Sequence, residues 1–145
     1  MEFEDVRSHF ESNHRGVITT FQVNGAGHSS IVVCGAYQGN AAFVIVKGSS
    51  AKARNLRKDA RCTVMSVADN WRTCAIVEGQ ATLMDYRNTD PEKMRVELRE
   101  VFRACGNFQQ GKDASELGSV RRLDASGCPG FVEGFKPFVP ESCNH

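Results

Sequence analysis

The chain has no stretch of eighteen consecutive apolar residues, so no membrane-spanning helix is expected. Its first residues, MEFEDVRSHFE, are acidic and polar, whereas a secretory signal has a basic stretch followed by an apolar one. No two of the six cysteines form a C-x-x-C pair, so a zinc site is not expected either. We therefore expect a cytoplasmic protein without a metal, whose cysteines are small buried residues in a reducing compartment.

A large excess of charge is also missing. The formal net charge is +1, so bulk charge does not favour a nucleic-acid partner, and no membrane partner is expected. Neither Ser29 nor Ser30 lies in a nucleophile-elbow pattern, so serine hydrolase chemistry is not expected. No repeat or linker divides the 145 residues. The length is typical of one domain, which we place at residues 1–145.

The patterns that are present predict helices at both ends of a set of strands. Phe3, Val6 and Phe10 recur at helical spacing in a helix over 3–13. Asp90-Pro91 is a strong helix start, and Gly106 ends that helix. Alternating or β-branched segments predict strands at 16–23, 28–36, 41–47, 61–67 and 71–84, with 120–123 as a further candidate. The tail over 127–145 is expected to be extended or loosely ordered.

The spacing of the strands indicates how they pair. Strands that are joined by short loops pair antiparallel. Five or six such strands tend to close into a barrel, because closure removes exposed edges. The predicted fold class is therefore mainly β with flanking helices, arranged as an antiparallel β-barrel.

A basic segment over 47–61 concentrates the positive charge of the chain. It contains six basic residues and one acid, Asp59, and so carries a net charge of +5 (6 − 1). The basic residues are Lys47, Lys52, Arg54, Arg57, Lys58 and Arg61. The segment follows a strand that is apolar enough to be buried on both faces, which makes a specific anion site more plausible than a solvated helix.

The basic segment also combines three devices that bind anions. Ser49 and Ser50 supply hydroxyl groups, and Ser50 is expected to cap the helix over 51–59 with its side chain. The backbone N–H groups of a helix start attract anions. Lys52 and Arg54 add charge. A solvated surface helix and a nucleic-acid patch are the alternatives, and the segment lacks the interleaved aromatic residues of the latter.

Three motifs resemble those of the pyridoxamine 5'-phosphate oxidase-like FMN-binding split barrels. His14–Thr20 (HRGVITT) resembles the entry into the first strand of that superfamily. Ser50–Asp59 (SAKARNLRKD) resembles the helix of the branch that uses the deazaflavin coenzyme F420, and Val77–Ala81 (VEGQA) is similar to its long-strand motif. The resemblance spans roughly residues 3 to 105.

The resemblance implies a six-stranded split β-barrel that forms a homodimer, with cofactor sites at the subunit interface. Carried onto this sequence, it places Ile18, Thr19 and Thr20 at the cofactor ring from the first strand, and Ser29, Ser30, Ile31 and Val32 from the second. The implied phosphate and tail ligands are Lys47, Ser49, Ser50, Lys52, Arg54 and Asn55. Trp71 is interpreted as a core or interface packing residue, or as a contact to the partner's cofactor.

The expected activity is transfer of a hydride from reduced F420 to a small electron-poor organic acceptor. His28 is a candidate proton donor or an exposed hairpin residue, and no other catalytic residue is predicted. F420 carries an acidic glutamyl tail, which additional cations such as Arg57 and Lys58 would attract. The number of cations therefore favours F420 over FMN. The alternatives are an FMN-dependent oxidoreductase and a non-catalytic protein that binds flavin, deazaflavin or haem.

Overall fold

The computed structural model describes residues 2–85, 87–106 and 128–138. These residues form three helices and six strands. In chain order they are α1 (Glu4–Ser12), β1 (Arg15–Phe21), β2 (Gly27–Tyr37), β3 (Asn40–Ile45), α2 (Ala51–Lys58), β4 (Arg61–Val67), β5 (Cys74–Leu83), α3 (Pro91–Ala104) and β6 (Cys128–Phe138).

The six strands close into an antiparallel barrel in the order β1-β2-β3-β6-β5-β4. The pairs β1–β2, β2–β3 and β4–β5 join strands that follow one another along the chain. Long-range pairing of β1 with β4 and of β6 with both β3 and β5 completes the closure. The predicted fold class, an antiparallel six-stranded barrel with flanking helices, is confirmed.

Two tight turns, one before and one after β2, follow from the residues at their centres. Gln38 and Gly39 have φ values of 50° and 79°, as a two-residue hairpin turn requires. Gly25 has a φ of 86° in the loop between β1 and β2, where Gln22 N–H donates to the Ala26 carbonyl at 2.9 Å. Asn-Gly is a frequent pair in hairpin turns, and Asn24-Gly25 lies in this one.

Alternate residues of the strands fill the barrel interior, as a period of two predicts. Ile18, Val64 and Val77 are completely buried there. At one end α1 inserts Phe3, Val6 and Phe10, and at the other α2 inserts Ala53 and Leu56. Outside the barrel, α3 forms a second apolar cluster against β3. Burial of these side chains stabilises the barrel at about 1.5–3 kcal/mol for each large apolar residue.

The last strand lies in the segment that was expected to be extended or loosely ordered. Pro129 and Gly130 lower its strand propensity. The glycine is required there, because a Cβ atom at Gly130 would clash with the Phe43 ring. The candidate strand over 120–123 lies outside the described residues.

Two further expectations differ from the structure. The fifth strand begins at Cys74, not at Trp71, because the chain is still turning at Asn70, whose side-chain oxygen accepts from the Arg72 N–H at 2.9 Å.

Cys74 is disulfide-bonded, so the expectation of reduced cysteines is wrong for that residue. Cys34 and Cys62 are free and buried, as expected, and Cys105 is buried as well. No helix of the described residues is long and apolar enough to cross a membrane.

Candidate functional site

The turn between β3 and α2 prepares the start of a helix. The Ser50 N–H donates to the Lys47 carbonyl at 2.9 Å, and the Arg54 N–H donates to the Ser50 carbonyl at 3.0 Å. Ser50 has the extended backbone of an N-cap residue, but its side chain makes no capping hydrogen bond. The expectation that its hydroxyl caps α2 is therefore wrong. The N–H groups of the first turn have no side-chain partner at the N-cap position.

Two arginines of α2 hold this turn in place. Arg54 Nη1 donates to the Ser49 carbonyl at 2.6 Å, and Arg57 Nη1 donates to the Gly48 carbonyl at 2.7 Å. Arg57 Nε also forms an ion pair with Asp85 at 3.0 Å. Burial alone would raise the pKa of Asp85, but hydrogen bonds from Arg87 and Asn88 N–H and from Arg57 together hold it below its ordinary value. These contacts make the turn a preformed structure.

Two of the six cations in the basic segment are paired with carboxylates. Arg57 is paired with Asp85, and Arg61 with Asp59 at 2.7 Å. Within the described part of the chain, no carboxylate lies within 4.0 Å of the other four, which are Lys47, Lys52, Arg54 and Lys58. Positive charge around α2 is therefore only partly compensated.

Two side chains connect α2 to the strands beneath it. Lys52 Nζ donates to the Ile31 carbonyl at 3.1 Å, and Asn55 Nδ2 donates to Thr20 Oγ1 at 3.1 Å. Burial lowers the pKa of Lys52. The predicted residues of the helix and those of the first two strands are thus brought to one place, as the resemblance implies.

Three buried polar atoms at this place have no hydrogen-bond partner. They are His28 Nδ1, Ser30 Oγ and Ser50 Oγ. Among the described residues, no other buried side-chain nitrogen or oxygen atom lacks a hydrogen-bond partner. His28 pairs with the inward-facing Thr20, and Ser30 with the inward-facing Ile18. Since an unsatisfied buried polar atom costs roughly 1–3 kcal/mol, three of them together indicate a site for a polar ligand or ordered water.

A cleft of about 590 Å³ opens between the β1–β2 loop and α2, and His28 is the one of these three residues that lines it. Its size is in the range of small-molecule sites. Its lining residues are Gln22, Val23, Asn24, His28, Ala51, Arg54 and Asn55. The sequence analysis had not selected Gln22, Val23 or Asn24. The Asn24-Gly25 turn signal places them at a hairpin end, but only the tertiary fold brings that end to α2.

The residues predicted to line the cofactor ring are divided between two faces of the sheet. Ile18 and Val32 are buried in the barrel core, with 0% and 4% of their surfaces exposed. Thr19, Ser29 and Ile31 face outward, where Thr19 Oγ1 lies 2.8 Å from Ser29 Oγ. A ligand on the outer face of the sheet can therefore touch the second group but not Ile18 or Val32, whereas the inward-facing His28 is reached through the cleft.

Trp71 lies far from the cleft of its own chain. It is 80% exposed and has a φ of 63°, in a turn next to Val67, at the end of β4 that pairs with the start of β1. The cleft lies at the other end of β1, roughly 20 Å away along a seven-residue strand. The interpretation of Trp71 as packing within this chain does not fit such exposure.

Comparison with solved structures identifies the architecture. The chain has the FMN-binding split-barrel fold. A pyridoxamine 5'-phosphate oxidase-related FMN-binding protein of Nostoc punctiforme aligns with 96% of this chain and 95% of its own, at 12% identity and a TM-score of 0.60. An F420 reductase aligns with 90% of this chain and 94% of its own, at 13% identity and a TM-score of 0.59.

A third similar structure is that of a conserved hypothetical protein of Mycobacterium tuberculosis. It aligns with 100% of this chain and 89% of its own, at 17% identity and a TM-score of 0.67. No protein-family model matches the sequence, and no curated protein sequence does so. At these identities the shared property is the fold.

Proposed function

We propose that this split barrel binds a flavin-type cofactor at the cleft beside α2, with F420 favoured over FMN, and that it is an oxidoreductase. The observation that carries the proposal is the coincidence of three unpartnered buried polar atoms with four cations that have no carboxylate partner in the described residues. A ligand with a phosphate and several polar groups matches both features. The split-barrel fold supports a flavin-type ligand in particular.

The turn before α2 is the proposed phosphate site. Ser49, Ser50 and the uncapped N–H groups of α2 would donate hydrogen bonds to phosphate oxygens. Lys47 and Lys52 flank the turn and would add charge. Because Arg54 and Arg57 already hold the turn carbonyls, the donors would need little rearrangement when the phosphate binds. The unpartnered Ser50 hydroxyl would gain a hydrogen bond at the same time.

The first two strands are the proposed support for the rest of the cofactor. When bound, reduced F420 supplies a hydride, and the proposed acceptor is a small electron-poor organic molecule. Thr19 and Ser29 would orient polar groups of the ligand, and Ile31 would exclude water from it. His28 lines the cleft, and its Nδ1 atom is buried without a partner. It is therefore the proposed proton donor.

A homodimer is the proposed state of the protein. An apolar row crosses the outer face of four strands, because Val17 pairs with Ile31 and Met65, and Met65 pairs with Ile76. Ile31 is 80% exposed in the single chain. A second copy would cover this row. It would also bring Trp71 of the partner subunit towards the cleft, which Trp71 of the same chain does not reach.

The count of available cations favours F420. Arg57 is occupied by Asp85, so it is less available for an acidic tail than its sequence position indicates. Four cations remain in the segment, which is more than one phosphate needs, and Lys58 is the closest of them to the C-terminal end of α2. An FMN-dependent oxidoreductase is the alternative, since both cofactors bring a phosphate to the same turn.

Titration of the purified protein with F420 and with FMN tests the proposal. We expect saturable binding with a dissociation constant at or below the micromolar range, equivalent to about 8 kcal/mol, and tighter binding of F420. Failure of both to bind at that level would overturn the proposal. Binding of one cofactor without reduction of any acceptor in a panel of enones, quinones and nitroaromatics would instead identify a carrier protein.

A further inference from the structure

His9 joins α1 to the barrel through both of its ring nitrogen atoms. Its Nδ1 atom lies 3.0 Å from Ser66 Oγ, and its Nε2 atom lies 3.2 Å from Thr73 Oγ1. The Ser66 hydroxyl donates to the Asn13 carbonyl at 2.7 Å. Its proton is then committed, so Ser66 accepts from His9 Nδ1–H. In neutral His9 this leaves Nε2 as the acceptor for the Thr73 hydroxyl.

Thr73 ends the turn that carries Trp71. We call residues Ala68–Thr73 the Trp71 turn. The Ala68 N–H donates to the Thr73 carbonyl at 3.0 Å, and the Trp71 N–H donates to the Ala68 carbonyl at 2.9 Å. Trp71 is held in the left-handed region, which is unusual for a bulky side chain. Such a conformation persists only where surrounding contacts hold it.

We infer that His9 is a positioning residue, which acts through Thr73 to fix the Trp71 turn and thereby the orientation of Trp71. The side chain of Trp71 is 80% exposed, so little packing against the described part of its own chain fixes its orientation. The pairing of Val67 with Cys74 closes the base of the turn, and His9 of α1 adds a side-chain contact to Thr73. Arg15 and Asp69 form an exposed ion pair at 3.8 Å, which contributes little to the stability of the turn.

The consequence for binding rests on the proposed function. If Trp71 of the partner subunit covers the cofactor, its orientation is prepared by His9 before the ligand arrives. A mobile indole would lose conformational entropy on binding, and this loss would weaken the affinity. The helix α1, which lies at the end of the barrel away from the cleft, would then influence affinity in the neighbouring subunit.

Trp71 is the only tryptophan of the chain, so its fluorescence anisotropy reports on the turn without labelling. We expect Thr73→Val to lower the anisotropy of the ligand-free protein, because the isosteric change removes only the hydroxyl. Thr82→Val is the matched control, since it makes the same change near the other end of β5 and should leave the anisotropy unchanged.

Two substitutions of His9 separate its two contacts. The amide oxygen of glutamine can lie near the position of Nε2 and accept from the Thr73 hydroxyl, so His9→Gln should retain the Thr73 contact and most of the anisotropy. Asparagine reproduces the position of Nδ1 only, so His9→Asn should keep the Ser66 contact and lose the anisotropy as Thr73→Val does. A merely structural role of His9 would affect both variants alike, or affect the melting temperature alone.

The ligand measurement uses F420 and FMN on the same variants. We expect Thr73→Val to weaken binding about two- to tenfold, the value of one hydrogen bond. Unchanged anisotropy in both Thr73→Val and His9→Asn would overturn the inference, whatever binds. Lower anisotropy with unchanged affinity would overturn its link to the cofactor. Lower anisotropy in a protein that binds neither cofactor would contradict the proposed function and leave the positioning role intact.

Discussion

The two ends of the barrel differ in whether their buried hydroxyl groups have hydrogen-bond partners. At the end closed by α1, Phe10 is completely buried, and the buried Ser66 hydroxyl has hydrogen-bond partners. At the end closed by α2, Ser30 and Ser50 have buried hydroxyls without a partner. Both ends cover the same core, so the difference is not a matter of burial. This contrast supports our proposal that a ligand completes the α2 end, whereas the buried hydroxyl at the α1 end is already paired within the chain.

The largest expected effect is a loss of stability at the α1 end. Phe10→Ala removes a ring from a packed core and should lower the free energy of unfolding by about 3–5 kcal/mol. Urea denaturation followed by circular dichroism measures it. If that variant does not fold, Phe10→Leu should fold and show a smaller loss. Cofactor affinity of the folded protein should fall by no more than the about two- to tenfold expected for loss of the Thr73 contact, and a larger loss would mean that the α2 end depends on the packing of the α1 end.

The next effect is a loss of binding at the α2 end. Lys52→Ala with Arg54→Ala removes two cations of the proposed phosphate site and should weaken cofactor binding on the order of a hundredfold. The melting temperature should change little, because the hydrogen bonds of both side chains are exposed. Isothermal titration calorimetry and a thermal melt measure the two quantities.

Lys93→Ala with Arg95→Ala is the matched control for that double variant. It removes one lysine and one arginine from the exposed face of α3, away from the cleft. If both double variants weakened cofactor binding equally, the cause would be the change in net charge, and the proposed phosphate site at α2 would be contradicted. A large loss of stability in the α2 variant alone would mean that Lys52 and Arg54 are structural.

A smaller effect compares serines at the two ends. Ser66→Ala leaves His9 Nδ1 and the Asn13 carbonyl without their partner and should lower the free energy of unfolding by about 1–3 kcal/mol. Ser30→Ala removes a hydroxyl that has no partner, so the ligand-free protein should be as stable as the wild type or up to about 1 kcal/mol more stable. Equilibrium urea unfolding without ligand gives both values, and equal destabilisation would abolish the contrast between the ends.

The smallest expected effect is a dependence of the free energy of unfolding on pH, which arises from His9 at the α1 end. Burial lowers the pKa of His9 below its ordinary value of 6.5, against a smaller opposing effect of a hydrogen bond with the Thr73 backbone. A histidine with a lowered folded-state pKa stabilises the protein above the pKa of the unfolded chain, and this contribution is lost as the pH falls through the folded-state value. Stability should therefore decline below about pH 6.5 in the wild type.

His9→Gln provides the comparison for that decline. Glutamine does not titrate, so the part of the pH dependence due to His9 should disappear from a series of urea unfolding curves. Asp85, whose pKa lies below its ordinary value, should cause a further loss at lower pH in both proteins. An identical decline near pH 6 in both proteins would assign the effect to another group.

Most of the fold follows from local patterns. The alternation of Ile18, Val64 and Val77 with outward-facing neighbours predicts strands whose inner faces form one core. The Asp90-Pro91 signal placed the start of α3 correctly, since Asp90 accepts a hydrogen bond from the Lys93 N–H at 3.2 Å. The strand over Cys128–Phe138 could not be predicted in the same way. Its Gly130 meets the Phe43 ring only in the closed barrel.

The candidate site was less predictable than the fold. Local sequence placed Ser50 and Lys52 at a helix start, and that position is confirmed. It did not show that Arg57 pairs with Asp85, because 28 residues separate them along the chain. It also did not show which strand residues face the cleft and which face outward. These features depend on the register of β1 and β2 and on the docking of α2, which are tertiary properties.

The most direct test is the stabilisation that saturating cofactor produces in the wild type and in Ser30→Ala with Ser50→Ala. A ligand that binds only the folded state raises stability in proportion to the logarithm of its concentration over its dissociation constant. We predict a clear rise in melting temperature of the wild type with F420 and a distinctly smaller rise in the double serine variant, whose ligand-free melting temperature is unchanged or higher. An equal rise in both proteins, or none in the wild type, would contradict the assignment of the α2 end as the cofactor site.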